Sequence, residues 1–292
     1  MNIQKRNLRN GLLFISPWII GFLIFTAYPL FSSLYYSFTD YNLIADAKFI
    51  GLDNYKKLFF EDNLFYKVLS NTLYMIFVGL SFTTIVAIFI SMMLNNKKIK
   101  GMSFFRIVFF IPTLVPFVVL AILWVWILQP DSGVVNSILS WFGVEGPGWF
   151  ASPSWSKPAF ILMATWMSGN MILIYLAGLS DIPQSLYEAA SIDGANSIQK
   201  AFHITLPMLK PAILFNVITG TIGVFQSFAE AFIITNGGPD GSTTFYALYL
   251  YQSAFQYYKM GYASAMAWIL LVIALSITLI FFKLSKRWGN EN

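Results

Sequence analysis

The chain has 292 residues, of which 57% are hydrophobic and 11% are charged, and its formal net charge at pH 7 is +5. An ordinary soluble domain has about 25% charged residues, and a water-soluble protein as apolar as this one would expose large apolar patches and aggregate. The composition therefore predicts a membrane protein, and the absence of Cys excludes disulfides, thiolate metal sites and cysteine nucleophiles.

Six apolar runs are long enough to cross a membrane, which takes about 20 residues per helix. They are residues 12–36, 71–94, 103–128, 159–180, 211–234 and 263–284. The first run follows three basic residues, as a secretory signal does, but it is longer than the apolar core of a signal and is not closed by a small-residue cleavage site. We therefore predict that the first run is retained as a span.

The basic residues indicate which side of the membrane each end of a span faces. With the N-terminus inside, twelve of the 18 Lys and Arg residues lie at the inner ends of the runs and the remaining six at the outer ends. Cytoplasmic segments carry the excess of Lys and Arg in membrane proteins. Both termini and residues 181–210 are therefore predicted to be cytoplasmic. Basic residues spread in this way do not form the clustered surface that binds nucleic acid.

Proline and glycine residues predict irregular helices in two of the spans. Pro112 and Pro116 are predicted to kink span three. Gly220 and Gly223 carry no side chain, so the helix of span five is narrower at those two positions. Kinked helices at membrane depth pack on protein or line a cavity. They also occur in bundles that transport nothing, so both interpretations stay open.

A polar segment separates spans four and five. A short helix is predicted over 183–193, because apolar residues recur there at helical spacing, and Gly194 is suited to closing it. A second short helix is predicted over 196–203, with Asn196 or Ser197 as its N-cap. Such a helical hairpin suits insertion into the groove of a partner. The alternative is an amphipathic loop that lies on the lipid surface. Helices at a lipid surface are rich in Lys and Arg, whereas the first helix here carries acidic residues and no basic ones.

The polar segment reads E-A-A-x-x-D-G-A, then F-x-I-x-L-P and a further Pro four residues on. This pattern resembles the EAA loop of ABC-importer permeases. The match is carried by Glu188, Ala189, Ala190, Asp193, Gly194, Ala195, Phe202, Ile204, Leu206, Pro207 and Pro211. The resemblance implies that this loop couples the chain to a cytoplasmic ATPase by docking into a cleft on it.

Two further segments resemble the first permease subunit of maltose-type sugar importers. They are FIGLDNYKKLF after span one and TNGGPDGSTTFYALYLYQSAF after span five. The chain lacks the additional N-terminal spans and the large external domain of the maltose subunit, and is similar to the shorter sugar and glycerol-phosphate permeases. Many of those relatives carry Asp immediately before the position of Glu230, where this chain has Ala229, so no substrate site is carried over from them.

The resemblance implies an all-α membrane protein with six transmembrane helices in the type I ABC-importer permease fold, N-in and C-in. Residues 1–66 would hold the first span and an external loop, residues 67–285 the permease domain with the coupling loop 181–210, and residues 286–292 a cytoplasmic tail. It also implies a multi-pass protein of the bacterial inner membrane. The implied partners are a second homologous permease in a heterodimer, two ATPase subunits and an extracytoplasmic sugar-binding protein. ATP and Mg²⁺ would bind to the partner ATPase, with no cofactor on this chain.

A row of polar and small residues follows one face of span five. Its members, spaced 3, 4, 3 and 4 residues apart, are Asn216, Thr219, Gly223, Gln226 and Glu230, with Gly220 and Ser227 widening the face. A polar group without a partner in hydrocarbon costs several kcal/mol, so this face is predicted to meet protein or water. Tight helix packing is the favoured interpretation for Thr219, Gly220 and Gly223. The predicted translocation-path residues are Asn216, Gln226, Ser227 and Glu230.

Span four contains an aromatic side chain and an amide side chain of the kinds that bind sugars. Trp166 and Asn170 are predicted substrate-path residues, because a sugar needs hydroxyl partners and a flat apolar face. Helix packing is the alternative for Trp166. No Arg or Lys lies at the centre of a span, which favours a neutral sugar over glycerol phosphate, since phosphate is held best by charge-assisted contacts.

Other function classes lack the residues that they require. His203 is the only His, no two acidic residues converge within a span, and no G-x-x-x-x-G-K-[ST] motif is present, so no catalytic or metal-binding residue is predicted. The predicted function is a permease subunit of an ATP-driven, binding-protein-dependent importer of mono- or oligosaccharides, forming half of the translocation path. Glycerol phosphate or another small solute is the alternative cargo. A secondary transporter or channel is a distant alternative, because the pattern at 188–207 has no second copy.

Overall fold

The computed structural model describes residues 3–95 and 101–289. The chain divides into two compact units, one of residues 1–63 and 250–272 and the other of residues 64–249 and 273–292. Lys97, Lys98 and Lys100, which enter the count of basic residues, lie outside the described residues, as do the last three residues of the predicted cytoplasmic tail.

Four helices in the described residues are long and apolar enough to cross a membrane, and two pairs of helices pass the same test as bent pairs. The four helices are Arg9–Ser37, Asn63–Leu94, Ser197–Phe225 and Met260–Lys283, and the bent pairs are Met102–Leu114 with Phe117–Ile127 and Ser156–Trp166 with Gly169–Ser180. Counting each bent pair as one span gives the six predicted spans, which we number one to six in chain order. Span two begins at Asn63 rather than at residue 71, because the more polar turns before residue 71 are helical too.

The first unit contains span one and a short strand pair. Its helical segments are Ile3–Phe22, the π-helical turn Leu23–Ala27, Tyr28–Ser37, Asp53–Lys56 and the π-helical turns Lys57–Glu61 and Gln252–Gln256. Strands β1 (Thr39–Asp40) and β2 (Lys48–Phe49) pair antiparallel. The side-chain amide of Asn54 donates to the backbone oxygen of Thr39 at 2.9 Å and holds this pair in place. No residue in the apolar window of span one is buried, as expected for a surface that meets lipid or another subunit.

The second unit contains spans two to five. Within the spans, the helical segments are Asn63–Tyr74, the π-helical turn Met75–Leu80, Ser81–Leu94, Met102–Phe110, the 3-10 turn Ile111–Leu114, Phe117–Ile127, Ser156–Trp166, Gly169–Ser180, Ser197–Lys200, the π-helical turn Ala201–Thr205 and Leu206–Phe225. Outside the spans they are Val134–Trp141, the 3-10 turn Trp149–Ala151, Gln184–Ile192, Ala229–Ile234 and Tyr246–Tyr251. The last helix, Met260–Gly289, contributes residues to both units.

Span three bends by 104° at its two prolines. Val115 and Pro116 adopt extended backbone with ψ angles of 132° and 134°, because proline disfavours the α conformation of the residue before it. Pro112 lies in the 3-10 turn immediately before this break. The kink predicted from the two prolines is confirmed.

Span five differs from its prediction at both ends. The helix predicted over 196–203 is not a separate short element, because one helix runs from Ser197 to Phe225. It continues through Pro207 because the π-helical turn before that residue adjusts the hydrogen-bond register, as membrane helices do around proline. At the outer end the helix stops at Phe225 and a new one begins at Ala229. The predicted span 211–234 was therefore wrong in its limits.

Spans two, four and five share one buried core. Ala87, Tyr175 and Leu209 are its fully buried members from the three spans in turn. The helices approach closely, since a Cβ added to Gly178 would lie 2.9 Å from the side chain of Leu209. Ser91 also donates from span two to a backbone oxygen of span four at 3.2 Å, a bond typical of packed membrane helices. These three spans carry both regions described next.

Candidate functional site

A cavity of about 290 Å³ lies where the helices of the second unit are interrupted. It borders the π-helical turn Met75–Leu80 of span two, the 49° bend of span four between Trp166 and Gly169, and the outer end of span five. Irregular helices at membrane depth are tolerated where they line a cavity, and discontinuous helices form the substrate sites of many transporters. This cavity is the candidate translocation site.

The cavity wall is mainly apolar and contains a small number of polar groups. Four of its side chains are flexible methionines, namely Met75, Met163, Met167 and Met171. Its polar side chains are Thr83, Ser168, Asn170, Ser227 and Glu230. A mostly apolar wall with a few polar groups that orient the ligand is typical of small-molecule sites, and methionine adapts its shape to different ligands.

Two of the polar groups offer hydrogen bonds to a bound molecule. Ser227 Oγ donates to Glu230 Oε2 at 3.0 Å and holds that carboxyl group in place. Ser168 Oγ is buried and has no hydrogen-bond partner among the described residues. Because a buried hydroxyl without a partner destabilises the protein, a water molecule or a ligand hydroxyl at Ser168 would be stabilising.

Three of the six predicted path residues line the cavity, namely Asn170, Ser227 and Glu230. Asn216 is buried beside Tyr175 in the core of spans two, four and five. Trp166 packs edge-on against Trp124 with ring centroids 5.8 Å apart, which is the packing alternative for that residue. Gln226 follows the last residue of the span-five helix and does not line the cavity. The prediction that one continuous helical face carries Asn216 through Glu230 was therefore wrong, because the helix ends between them.

The four methionines that line the cavity were not predicted from the sequence. Met163, Met167 and Met171 follow one another at spacings of four residues, which would place them on one face of a continuous helix. That spacing could have indicated from the sequence that these three methionines lie together. The π-helical turn of span two had no such signal, because the register of a hydrogen-bonded helix is not visible in residue types.

Gly220 and Gly223 both line the cavity but have different surroundings. A Cβ at Gly220 would lie 2.6 Å from Leu80 Cδ1, whereas a Cβ at Gly223 would meet nothing within 4 Å. Gly220 therefore permits the close packing expected of it, and Gly223 borders open space.

The polar segment, residues 181–210, forms a braced pair of helical arms that we call the coupling hairpin. Its first helix, Gln184–Ile192, closes at Gly194, which has a left-handed φ of +79°. The backbone N–H of Ala195 donates back to the oxygen of Ala190 at 2.8 Å, as in helix ends with glycine in this conformation.

Asn196 is the N-cap of the second arm, for which the sequence had allowed either Asn196 or Ser197. Its side-chain oxygen accepts from the backbone N–H of Gln199 at 2.9 Å, and the Gln199 side chain accepts from the backbone N–H of Asn196 at 2.8 Å. This reciprocal pair is a capping box. The two arms are joined by a hydrogen bond of 2.9 Å between Tyr187 Oη and Thr205 Oγ1.

The tip of the coupling hairpin exposes apolar side chains. Ile192, Ile198 and Phe202 are 87%, 70% and 64% exposed. Glu188 and Asp193 are exposed beside them. Exposed apolar side chains together with charged ones on a braced element are the composition of a protein-docking surface.

The nine predicted coupling residues all lie in this hairpin and divide into two groups. The exposed ones are Glu188, Ala189, Asp193, Gly194 and Phe202, and the partly buried ones are Ala190, Ala195, Leu206 and Pro207. Leu206 packs against the core of spans two, four and five. The hairpin therefore presents the first group outward, and Leu206 of the second group anchors it to the spans.

His203 belongs to the same hairpin. Its exposed ring nitrogen Nδ1 lies 2.9 Å from the backbone oxygen of Gln199, one turn earlier in the helix. Across residues 3–95 and 101–289, no three His, Asp or Glu side chains come together as metal ligands would.

Comparison with known proteins identifies the family. Residues 83–290 match the family described as "Binding-protein-dependent transport system inner membrane component". The probable ABC transporter permease protein YesP of Bacillus subtilis is 45% identical over 98% of this chain and 93% of its own length. The arabinooligosaccharides transport system permease protein AraP of the same organism is 36% identical over 96% of this chain and 89% of its own. The lactose transport system permease protein LacF of Rhizobium radiobacter is 35% identical over 95% and 94%.

Two solved structures share the fold. One is a chain of a bacterial ABC transporter involved in the import of the acidic polysaccharide alginate, with a TM-score of 0.82, 29% identity and 98% of each chain covered. The other is from a bacterial alginate ABC transporter in complex with an alginate pentasaccharide-bound periplasmic protein. It has a TM-score of 0.83 and 30% identity, with 97% of this chain and 96% of that chain covered.

Proposed function

The chain belongs to the family of binding-protein-dependent transport system inner membrane components, and from this premise we propose that it forms half of the translocation path of an ATP-driven sugar importer. It is a membrane-embedded transporter subunit and not an enzyme. Its likeness to the solved importer chains confirms the six-span type I permease fold.

Sugars are the proposed cargo. Relatives named for arabinooligosaccharides and lactose and the solved alginate importer support this class. The cavity also suits it, because Ser168, Asn170 and Glu230 supply hydrogen-bonding groups within an otherwise apolar wall. Glycerol phosphate would find no basic side chain among the residues that line the cavity.

The proposed mechanism joins the coupling hairpin to the cavity through one helix. Span five runs without a break from Ser197 in the hairpin to Phe225 beside the cavity, and its 29 residues span roughly 43 Å at about 1.5 Å per residue. A displacement of the hairpin by an ATPase would therefore move the helix that bounds the cavity. This continuous helix is the observation that carries the proposal.

The proposed assembly in the bacterial cytoplasmic membrane contains four further proteins. A second homologous permease forms the other half of the path, two ATPase subunits bind ATP and Mg²⁺ on the cytoplasmic side, and an external binding protein delivers the sugar. ATP drives transport only if the ATPases bind the inward-open and outward-open states with different affinities. The coupling hairpin is the proposed contact through which this difference in affinity acts.

A single introduced cysteine tests the docking of the hairpin, because the chain contains no other Cys. Ile192→Cys, at a position that is 87% exposed, is expected to cross-link to an ATPase subunit when the membrane-bound assembly is treated with a short thiol-to-amine reagent. Ile44→Cys is the matched control, because Ile44 is 89% exposed on the predicted outer side. Equal labelling of an ATPase from both positions, or from neither, would contradict the docking.

The cavity assignment predicts different effects for two polar residues. Asn170→Leu is expected to lower sugar uptake roughly tenfold, because it removes a hydrogen bond worth about 1.4 kcal/mol from the cavity wall. Gln226→Leu is expected to leave uptake near its normal level, since Gln226 does not line the cavity. Uptake into membrane vesicles is measured beside the ATPase rate, which confirms that coupling is intact. A larger effect of Gln226→Leu would refute this choice of path.

A further inference from the structure

Two lysines lie together at the predicted outer side of the second unit. Lys157 is in the first turn of helix Ser156–Trp166 and is partly buried, with Nζ 5.0 Å from the centre of the Tyr74 ring. Lys67 is exposed on helix Asn63–Tyr74 and is close enough for its charge to repel that of Lys157. These residues place two positive charges on neighbouring helices.

The pair is held in position by one network of hydrogen bonds. Lys157 Nζ donates to Asn71 Oδ1 at 3.0 Å, and the Asn71 amide donates to the backbone oxygen of Gly241 at 2.9 Å. Lys67 Nζ donates to the backbone oxygen of Asp240 in the same loop. Both ammonium groups are thus fixed against one loop before any ligand arrives, which lowers the entropy lost on binding.

The pair lies directly outside the cavity. Lys157 is four residues before Ile161, and Lys67 is eight residues before Met75; Ile161 and Met75 both line the cavity. Four residues of helix correspond to about 6 Å. Lys157 is therefore one turn, and Lys67 two turns or about 12 Å, beyond the cavity, and a sugar of two or more units in the cavity can reach both lysines with its outer end.

Within the described part of the chain, neither lysine forms an ion pair of 4.0 Å or less with a carboxylate. Lys67 contacts the acidic residue Asp240 through that residue's backbone oxygen. An ammonium group has three N–H donors, and the hydrogen bonds above use one from each lysine. Two like charges near each other, one of them partly buried, are stabilised by a bound anion. The site is therefore suited to a negatively charged group.

We propose that Lys67 and Lys157 form an anion subsite at the mouth of the cavity, which recognises the carboxylate of an acidic sugar. The inference rests on the proposed function, since it specifies the class of sugar. A uronate carboxylate would lie between the two ammonium groups, and the neutral hydroxyls of the next sugar unit would face Asn170 and Glu230. The expectation of a neutral sugar considered only the centres of the spans and did not include a lysine one turn outside the cavity.

The inference is tested by binding of matched acidic and neutral disaccharides to the complete importer assembly in lipid nanodiscs. The pairs are digalacturonate with galactobiose and dimannuronate with mannobiose. In at least one pair the acidic sugar is expected to bind about 10- to 100-fold more tightly, as two charge-assisted contacts allow. That preference is expected to decrease at least tenfold in Lys157→Gln and in Lys67→Gln.

Three controls separate recognition from folding and from the proposed function. Lys157→Arg keeps the charge and is expected to keep the acidic preference, whereas Lys259→Gln removes an exposed lysine elsewhere on the predicted outer side and is expected to change nothing. The exposed Lys67 keeps the test valid if Lys157→Gln reduces folding. Equal binding of acidic and neutral sugars, or a preference that survives both Gln variants, overturns the anion subsite alone. Failure of every sugar to bind or to enter proteoliposomes overturns the sugar-import function itself.

Discussion

Replacing Gly194 with Pro is expected to abolish ATP-stimulated uptake while the chain stays in the membrane. Gly194 has a φ of +79°, and proline is fixed near −65°, so the turn between the two arms of the coupling hairpin cannot form. The substitution also removes the N–H that donates to the oxygen of Ser191 at 3.2 Å. The apolar tip would then no longer present Ile192 and Ile198 together. We expect uptake to fall to the level measured without ATP.

Gly143→Pro is a closely matched control for that variant. Gly143 also follows a short helix, has a φ of +71°, and donates its N–H to a serine three residues earlier, at 3.0 Å. It lies on the predicted outer side, away from the ATPases. Both variants lose the same backbone features, so normal transport by Gly143→Pro together with failure of Gly194→Pro would locate the defect in coupling. Equal transport by the two variants would refute the coupling role of the hairpin.

Glu188→Lys tests the same surface without changing the backbone. Glu188 is exposed on the first arm, four residues before Ile192 of the apolar tip. Reversing its charge is expected to reduce uptake strongly while the chain remains in the membrane. The ATPase rate with sugar-loaded binding protein distinguishes a docking defect, which lowers the rate, from a cargo defect.

The sequence predicted the elements whose cause is local. The six apolar runs correspond to the six spans because apolar length is itself what a membrane span requires. The break in span three was predictable because proline acts on the residue beside it, as at Val115. The closure of the first arm at Gly194 was predictable for the same reason, since glycine adopts the left-handed conformation without strain.

The sequence did not predict features that depend on packing between helices. Prolines at 207 and 211 look like a helix start, but a π-helical turn lets one helix continue from the coupling hairpin into span five. No proline or glycine follows Phe225 in the next turn to mark the end of that helix. Glu230 therefore lies on a different helix from Asn216, although the residue spacing placed them on one face.

The cavity illustrates the same limit. Ser227 and Glu230 reach it because the chain turns after Phe225, and Asn170 reaches it because span four bends immediately before it. The prediction named these three residues for their polarity and not for the breaks that bring them together. Asn216, named for the same reason, is buried in the core of spans two, four and five and does not line the cavity.

Gly169→Val is expected to prevent stable assembly of the permease. Gly169 is buried in the first turn after the bend of span four. A Cβ there would lie 2.7 Å from the backbone oxygen of Phe109 and 2.8 Å from the side chain of Thr113 in span three. A backbone oxygen cannot move aside as the end of a flexible side chain can, so the cost should be at or above the usual range of about 1–3 kcal/mol for overpacking. The measurement is the yield of monodisperse assembly in size-exclusion chromatography.

Gly223→Val is the matched control, because it introduces the same side chain into a membrane helix where nothing lies within 4 Å of the new Cβ. It is expected to assemble at the normal yield, even if the added side chain narrows the cavity and slows uptake. Gly169→Ala should be intermediate, since its single methyl group meets the Phe109 oxygen without the further bulk of valine. A normal yield for Gly169→Val would mean that spans three and four do not meet at this bend. Because the same bend brings Ser168 and Asn170 to the cavity, the location of the translocation site would then also be wrong.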